Sequence, residues 1–96
     1  HKILLSFLPS SGGAEMHQHF DDVIIMKQGK ATLVTGGSIV DAKTGPDGET
    51  KGPRIQGGVR RAVTAGDIVH IPAGTPHQLL LQPGNSYSAV VIKVKE

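Results

Sequence analysis

The sequence has no cysteine and no tryptophan. Without cysteine there is no disulfide framework, no thiolate zinc site and no thiol nucleophile. A cysteine-free chain fits any compartment, so localisation stays open. Aromatic residues make up only 3% of the chain, which argues against a base-stacking surface for nucleic acid. No apolar run approaches the roughly 18 residues of a spanning helix, so no membrane span is expected. Residues 3–8 are apolar but lack the charged lead and cleavage site of a complete signal peptide. Excess charge of one sign is also scarce. Ten Lys and Arg stand against eight Asp and Glu, a net charge of +2 with His neutral. The one basic grouping, Lys51, Arg54, Arg60 and Arg61, reads as a solvated loop and edge. Neither nucleic acid nor a membrane is expected as a partner.

What the chain has in quantity is turn residues. Glycine (13) and proline (6) together form about a fifth of the 96 residues, too many for a helical protein and suited to short strands joined by turns. Hydrophobic residues at 38% and charged residues at 19% place the chain with globular domains rather than disordered ones. The length supports one domain, residues 1–96, with no linker. A chain of this size sits near the low end for a self-sufficient core, and oligomerisation would help it.

No stretch shows a 3.6-residue apolar period of helical length. Strands are expected over residues 3–8, 14–20, 22–27, 31–35, Ser38–Val40, 60–64, Ile68–Ile71, 77–82 and Tyr87–Lys95, about eight or nine in all. Residues 41–58 carry five glycines and two prolines and read as a long surface loop, with an irregular strand near Arg54–Gln56. The fold class is all-β; the pattern alone does not separate sandwich from barrel.

The chemistry-bearing residues are histidines and carboxylates. On a strand, residues i and i+2 share a face, so His17 and His19 would converge as a chelating pair. Glu15 lies on that same face. Asp22 joins only if the chain bends in between, and the sequence does not choose between the two carboxylates. His77 follows a stiff turn over residues 72–76 and opens a strand whose His77, Leu79 and Leu81 share one face. If that face is interior, His77 meets the pair across the core. Three imidazoles plus a carboxylate suit a divalent transition metal: zinc, iron, manganese, nickel or copper. Each histidine also has a plainer reading as a surface or hydrogen-bonded core residue. His70 is a weaker site candidate, and His1 is terminal.

These residues resemble two sequence patterns of one family. Gly66, Pro72, Gly74 and His77 fit G-x5-P-x-G-x2-H, the second motif of the cupins, with Leu81 where that pattern often has Asn. The first motif, G-x5-H-x-H-x3-4-E-x6-G, is matched in part. His17 and His19 supply the H-x-H, and Asp22 with Gly29 supplies the E-x6-G spacing with Asp for Glu. Only two residues separate His19 from Asp22, one fewer than the pattern allows, and Gly12 and Gly13 stand near the leading glycine but off its spacing. The chain is similar to the small single-domain cupins with a conserved barrel. That resemblance implies a small jelly-roll β-barrel (a double-stranded β-helix). It also implies a metal held by His17, His19, His77 and Asp22 or Glu15, a small-molecule ligand or substrate, and a homodimer with residues 3–8 exchanged or packed across subunits.

Three functions follow as expectations. The first is a metal-dependent enzyme, an oxygenase, isomerase or lyase, with Ile24, Met26, Leu79, Leu81 and Tyr87 lining an apolar pocket and no second catalytic acid or base beyond the carboxylates. The second is a non-catalytic module that binds a small ligand. The third is a metal-free structural barrel. A fold shared by many chemistries names none of them.

Overall fold

A computed structural model describes residues 2–8, as backbone, and residues 12–95. Among the described residues there is no helix, and hence none long and apolar enough to cross a membrane. The eleven strands are β1 (Lys2–Leu8), β2 (Ala14–His17), β3 (Phe20–Thr35), β4 (Ser38–Val40), β5 (Lys43–Thr44), β6 (Glu49–Gly52), β7 (Arg54–Gln56), β8 (Val59–Thr64), β9 (Ile68–Ile71), β10 (His77–Leu80) and β11 (Tyr87–Lys95). All the pairings are antiparallel. The fold is an all-β jelly roll.

The long strand β3 organises the molecule. Its first half pairs β11 on one side and β9 on the other. Its second half pairs β8 and β10. One layer is therefore β1, β11, β3 and β9; the other runs β8, β3, β10, β2, β6 and β5. Gly29 lets one strand serve both layers. It takes a left-handed φ of 79°, and a Cβ there would fall 2.0 Å from the Ser86 carbonyl oxygen. Only glycine tolerates both demands. A register shift in the β11 ladder just before Gly29 adds to the bend.

The apolar core lies where the inward rows of the two layers meet. Ile24, Met26, Ala31, Leu33, Val63, Ile71, Tyr87 and Ala89 form it, and Leu79, Leu81, Val69 and Val91 pack against it. A smaller cluster of Ala14, Val34 and Ile55 lies beside β2 and β7. Alternation over the first half of β3 (Asp22, Ile24 and Met26 in) and the start of β11 (Tyr87 and Ala89 in) explains why these segments are strands.

Two expectations are corrected. The segments 22–27 and 31–35 are one strand, because Gly29 bends the backbone without breaking its pairing. Residues 41–58 are not simply a loop. Three short strands lie within them, and β6 pairs along the whole of β2. Gly45, Gly48, Gly57 and Gly58 lie in the turns between these short paired segments, and Gly52 lies within β6 opposite Ala14. The strand near Arg54–Gln56 is β7.

Candidate metal centre

Three cross-strand pairs build the centre, each made of residues directly opposite in a ladder. Glu15 on β2 faces His77 on β10. His17 on β2 faces Glu49 on β6. Asp22 on β3 faces Lys93 on β11. Directly opposed side chains stand close enough to interact, so register alone brings six polar groups together.

The two histidine segments are stitched together by backbone. After β9 the chain turns at residues 72–76, where Thr75 N–H donates to the Pro72 carbonyl at 3.2 Å. The Gly74 N–H then donates to the His17 carbonyl at 2.8 Å. Ala73 N–H donates to Asp21 Oδ1 at 2.8 Å. Asp21 also holds the ring of His70 at 2.8 Å, on the outside, where His70 is exposed. The turn thus fixes where His77 enters relative to His17; the two ring centroids are 5.1 Å apart.

Each imidazole has its Nδ1 engaged. His77 Nδ1 donates to the Thr75 carbonyl at 3.0 Å. A carbonyl only accepts, so Nδ1 carries the proton and Nε2 carries the lone pair. His17 Nδ1 lies 2.5 Å from Glu49 Oε1. Its Nε2 lies 3.0 Å from Lys93 Nζ. An ammonium only donates, so in this arrangement Nε2 accepts and Nδ1 donates to Glu49. With both rings neutral, as metal ligation requires, both Nε2 atoms present lone pairs; with a ring protonated, its Nε2–H donates instead to Asp22 Oδ2, which lies 3.1 Å from His17 Nε2 and 3.4 Å from His77 Nε2. Glu15 Oε2 approaches His17 Nε2 to 3.5 Å. One ligand atom each from Glu15, His17 and His77 lies within 4.8 Å of the others. A His/His/Glu group in this arrangement could hold a metal ion.

The charges tune one another. Burial pushes the Asp22 carboxyl up, but hydrogen bonds from His17, His77 and Lys93 outweigh it and hold the group well below the usual carboxylate range. His17 is raised, first by its hydrogen bond to Asp22 and against the opposing effect of burial. Tyr87 is raised by burial and by the charge of Glu15, so its phenol stays protonated. No buried side-chain polar atom among the described residues lacks a partner.

A cavity of about 370 Å³ opens beside the centre. Ile24, Leu79, Tyr87 and Val91 form its apolar wall, and Glu15, Lys51 and Gln78 are among its polar lining. Met26 and Leu81, also expected there, belong to the core instead.

Of the residues singled out in the sequence, His17, His77, Asp22 and Glu15 come together; His19 does not. β2 ends at His17, and Gln18 N–H leaves the ladder to bond the Gly48 carbonyl at 3.1 Å. The strand alternation that would pair the two rings stops there. His19 is exposed, its ring lying over Gly48, where a Cβ would come within 2.9 Å of it. The first motif fits better two residues earlier. Glu15-x-His17, a spacer of four, Asp22, and Gly29 after six more keep the intervals of the pattern from its first His onward, with Glu in the place of that His; the leading glycine would fall at position 9, which is proline. The short spacer after His19 was the signal for that shift. Glu49 and Lys93 were missed. Lys93 was detectable as the one charged residue in the inward row Tyr87, Ala89, Val91, Lys93. Glu49 had no comparable signal.

Neither a family model nor a curated protein matches the sequence. Solved structures match the fold. BH2720 of Bacillus halodurans superposes with a TM-score of 0.71 at 16% identity, over 98% of this chain and 61% of that one. A cupin protein of Bacteroides fragilis, BF4112, superposes with a TM-score of 0.64 at 14% identity, over 97% of this chain and 64% of that one. The chain spans less than two thirds of the length of either. With its jelly-roll topology and the turn-borne G-x5-P-x-G-x2-H histidine, the chain has the cupin fold.

Proposed function

We propose that the chain is a small metal-binding cupin barrel. His17 and His77 would hold one divalent transition metal through Nε2, with carboxylate oxygens from Glu15 and Asp22; zinc, iron, manganese, nickel and copper all suit such donors. The observation that carries this reading is the orientation of the two imidazoles. Each gives its Nδ1 proton to a fixed acceptor, Glu49 or the Thr75 carbonyl, and turns its Nε2 lone pair to the same place. That outer hydrogen bond is what metal-ligating histidines characteristically make. His19 lies outside this set.

When bound, the metal would act as a Lewis acid and anchor for a small ligand. The chain's own residues would shape the rest. Ile24, Leu79 and Val91 exclude water from one wall of the cavity, the Tyr87 phenol keeps its proton, and Gln78 donates to the Gly12 and Pro53 carbonyls at 2.9 and 3.2 Å, fixing those backbone segments. The ligand is read as a small molecule on the size of the cavity. A homodimer belongs to the same reading, supported by β1, which ends the strand order with one edge unpaired among the described residues.

Metal content tests the proposal. Untagged protein purified without chelator should carry, or take up, about one equivalent of metal per chain by plasma mass spectrometry, and His77→Ala should lose it. Below a tenth of an equivalent, with no uptake from added metals, the reading fails. Candidate ligands then separate enzyme from binder: a converted ligand means oxygenase, isomerase or lyase chemistry, and a ligand recovered unchanged means a binding module.

A further inference from the structure

Lys93 is a charge that a cluster of imidazoles and carboxylates does not need for metal binding. Its Nζ lies 3.0 Å from His17 Nε2 and 3.0 Å from Asp22 Oδ1. These are donor atoms a metal would use. An imidazole Nε2 has one lone pair, which either accepts the ammonium hydrogen or bonds a metal at about 2.0–2.1 Å. It cannot do both. Two cations so close in a half-buried site also repel each other.

We propose that Lys93 is a built-in occupant of the cation position, so that its ammonium and a metal exclude one another at His17. The inference rests on the reading that this cluster takes a metal. The backbone cannot carry Lys93 away, because β11 is held on both sides of it: Val91 opposite Ile24, Lys95 opposite Phe20. Only the four-carbon side chain can turn aside, and it has room to do so, since it keeps 19% of its surface. Without metal, the ammonium balances Asp22 and keeps the donors in place. Metal entry must break two charge-assisted hydrogen bonds of the lysine, which lowers the affinity below what the same ligands would otherwise give. Displacing the lysine costs the same for every metal, so the ordinary order of affinities is kept and only metals that bind these donors strongly enough occupy the site.

The test is a chelator-competition titration with zinc on the full chain, with folding of each protein checked by circular dichroism. Lys93→Met keeps the apolar stem and removes the charge; Lys93→Gln is a second neutral variant in case the first misfolds. Lys27→Met removes the charge of an exposed lysine on β3 that does not line the cavity. Loss of the competing hydrogen bonds should tighten zinc binding about tenfold or more in both Lys93 variants, and by less than about threefold in Lys27→Met. Zinc binding by the Lys93 variants but not by the wild type would be the same exclusion in its strongest form. Unchanged or weaker binding in the Lys93 variants overturns the inference alone, as does an equal gain in Lys27→Met, which would make the effect one of net charge. No zinc uptake by any of the proteins overturns the metal reading, and this inference with it.

Discussion

The interior of the barrel has two ends that share the same pair of strands. Along β3 and β11 the inward rungs are Met26 with Ala89, Ile24 with Val91, and Asp22 with Lys93. The first two are apolar and merge into the core; the third is a charge pair with Asp22 only 4% exposed. One rung to the next is about 7 Å along a strand, so packing gives way to electrostatics over a single step. The two ends do different work. Apolar burial gives a net gain, whereas a buried ion pair roughly cancels its own desolvation. The core therefore stabilises the barrel, and the charged end is positioned by the register that the core fixes.

Enlarging the apolar end should have the largest effect. Met26 is 1% exposed, and Met26→Ala leaves a cavity among Leu33, Val63 and Ile71. It should cost about 2–5 kcal/mol, read as a lower urea midpoint. If the two ends are separable, the folded fraction at low temperature keeps its zinc affinity within about threefold. A parallel collapse of affinity would show that the site depends on packing one rung away.

Removing charge at the other end should cost less. Asp22→Asn leaves Lys93 without its carboxylate, but Lys93 is partly solvated, so the loss should be about 1–3 kcal/mol. The pH dependence of the metal-free protein identifies the source. The Asp22 carboxyl is held below its ordinary value, so its contribution is present above about pH 4 and is lost as pH falls through the depressed value. His17 is raised, so its contribution is complete below about pH 6.5 and is lost as pH rises through the raised value. Each shift depends on the other partner. Asp22→Asn should therefore flatten both limbs of a plot of urea midpoint against pH. A variant with the wild-type acid limb would place that stability elsewhere.

The same two-ended interior explains what could be read in advance. The segment around His77 was legible because its structure is local. Gly66, Pro72, Gly74 and Pro76 set turns through their own backbone preferences, and β9 (Ile68–Ile71) and β11 (Tyr87–Lys95) have the bounds their flanking turns dictate. The segment around His17 was not, because what ends β2 is a hydrogen bond from Gln18 to Gly48, thirty residues away. Hydrophobic alternation says which residues share a face while a strand lasts, but not where a distant partner stops it. Glu49 was hidden for the same reason. Its role comes from the pairing of β6 with β2, and nothing in a glycine-rich stretch announces that register.

The smallest effect is the most discriminating. His19 shares its residue type and its motif with His17, and differs in lying beyond the bend, exposed, with no hydrogen bond or ion pair to its ring among the described residues. His19→Ala should change stability by less than about 0.5 kcal/mol, as for most exposed positions, and zinc affinity by less than about twofold. Glu49→Gln never touches the metal in this reading, yet it weakens the acceptor that orients His17 and should lower zinc affinity about 10- to 100-fold. The ranking is then Glu49 above His19, the reverse of what an H-x-H pair would give. If His19→Ala instead loses zinc as fully as His17→Ala, the two rings act together after all, and the motif register that places Glu15 in the centre is wrong.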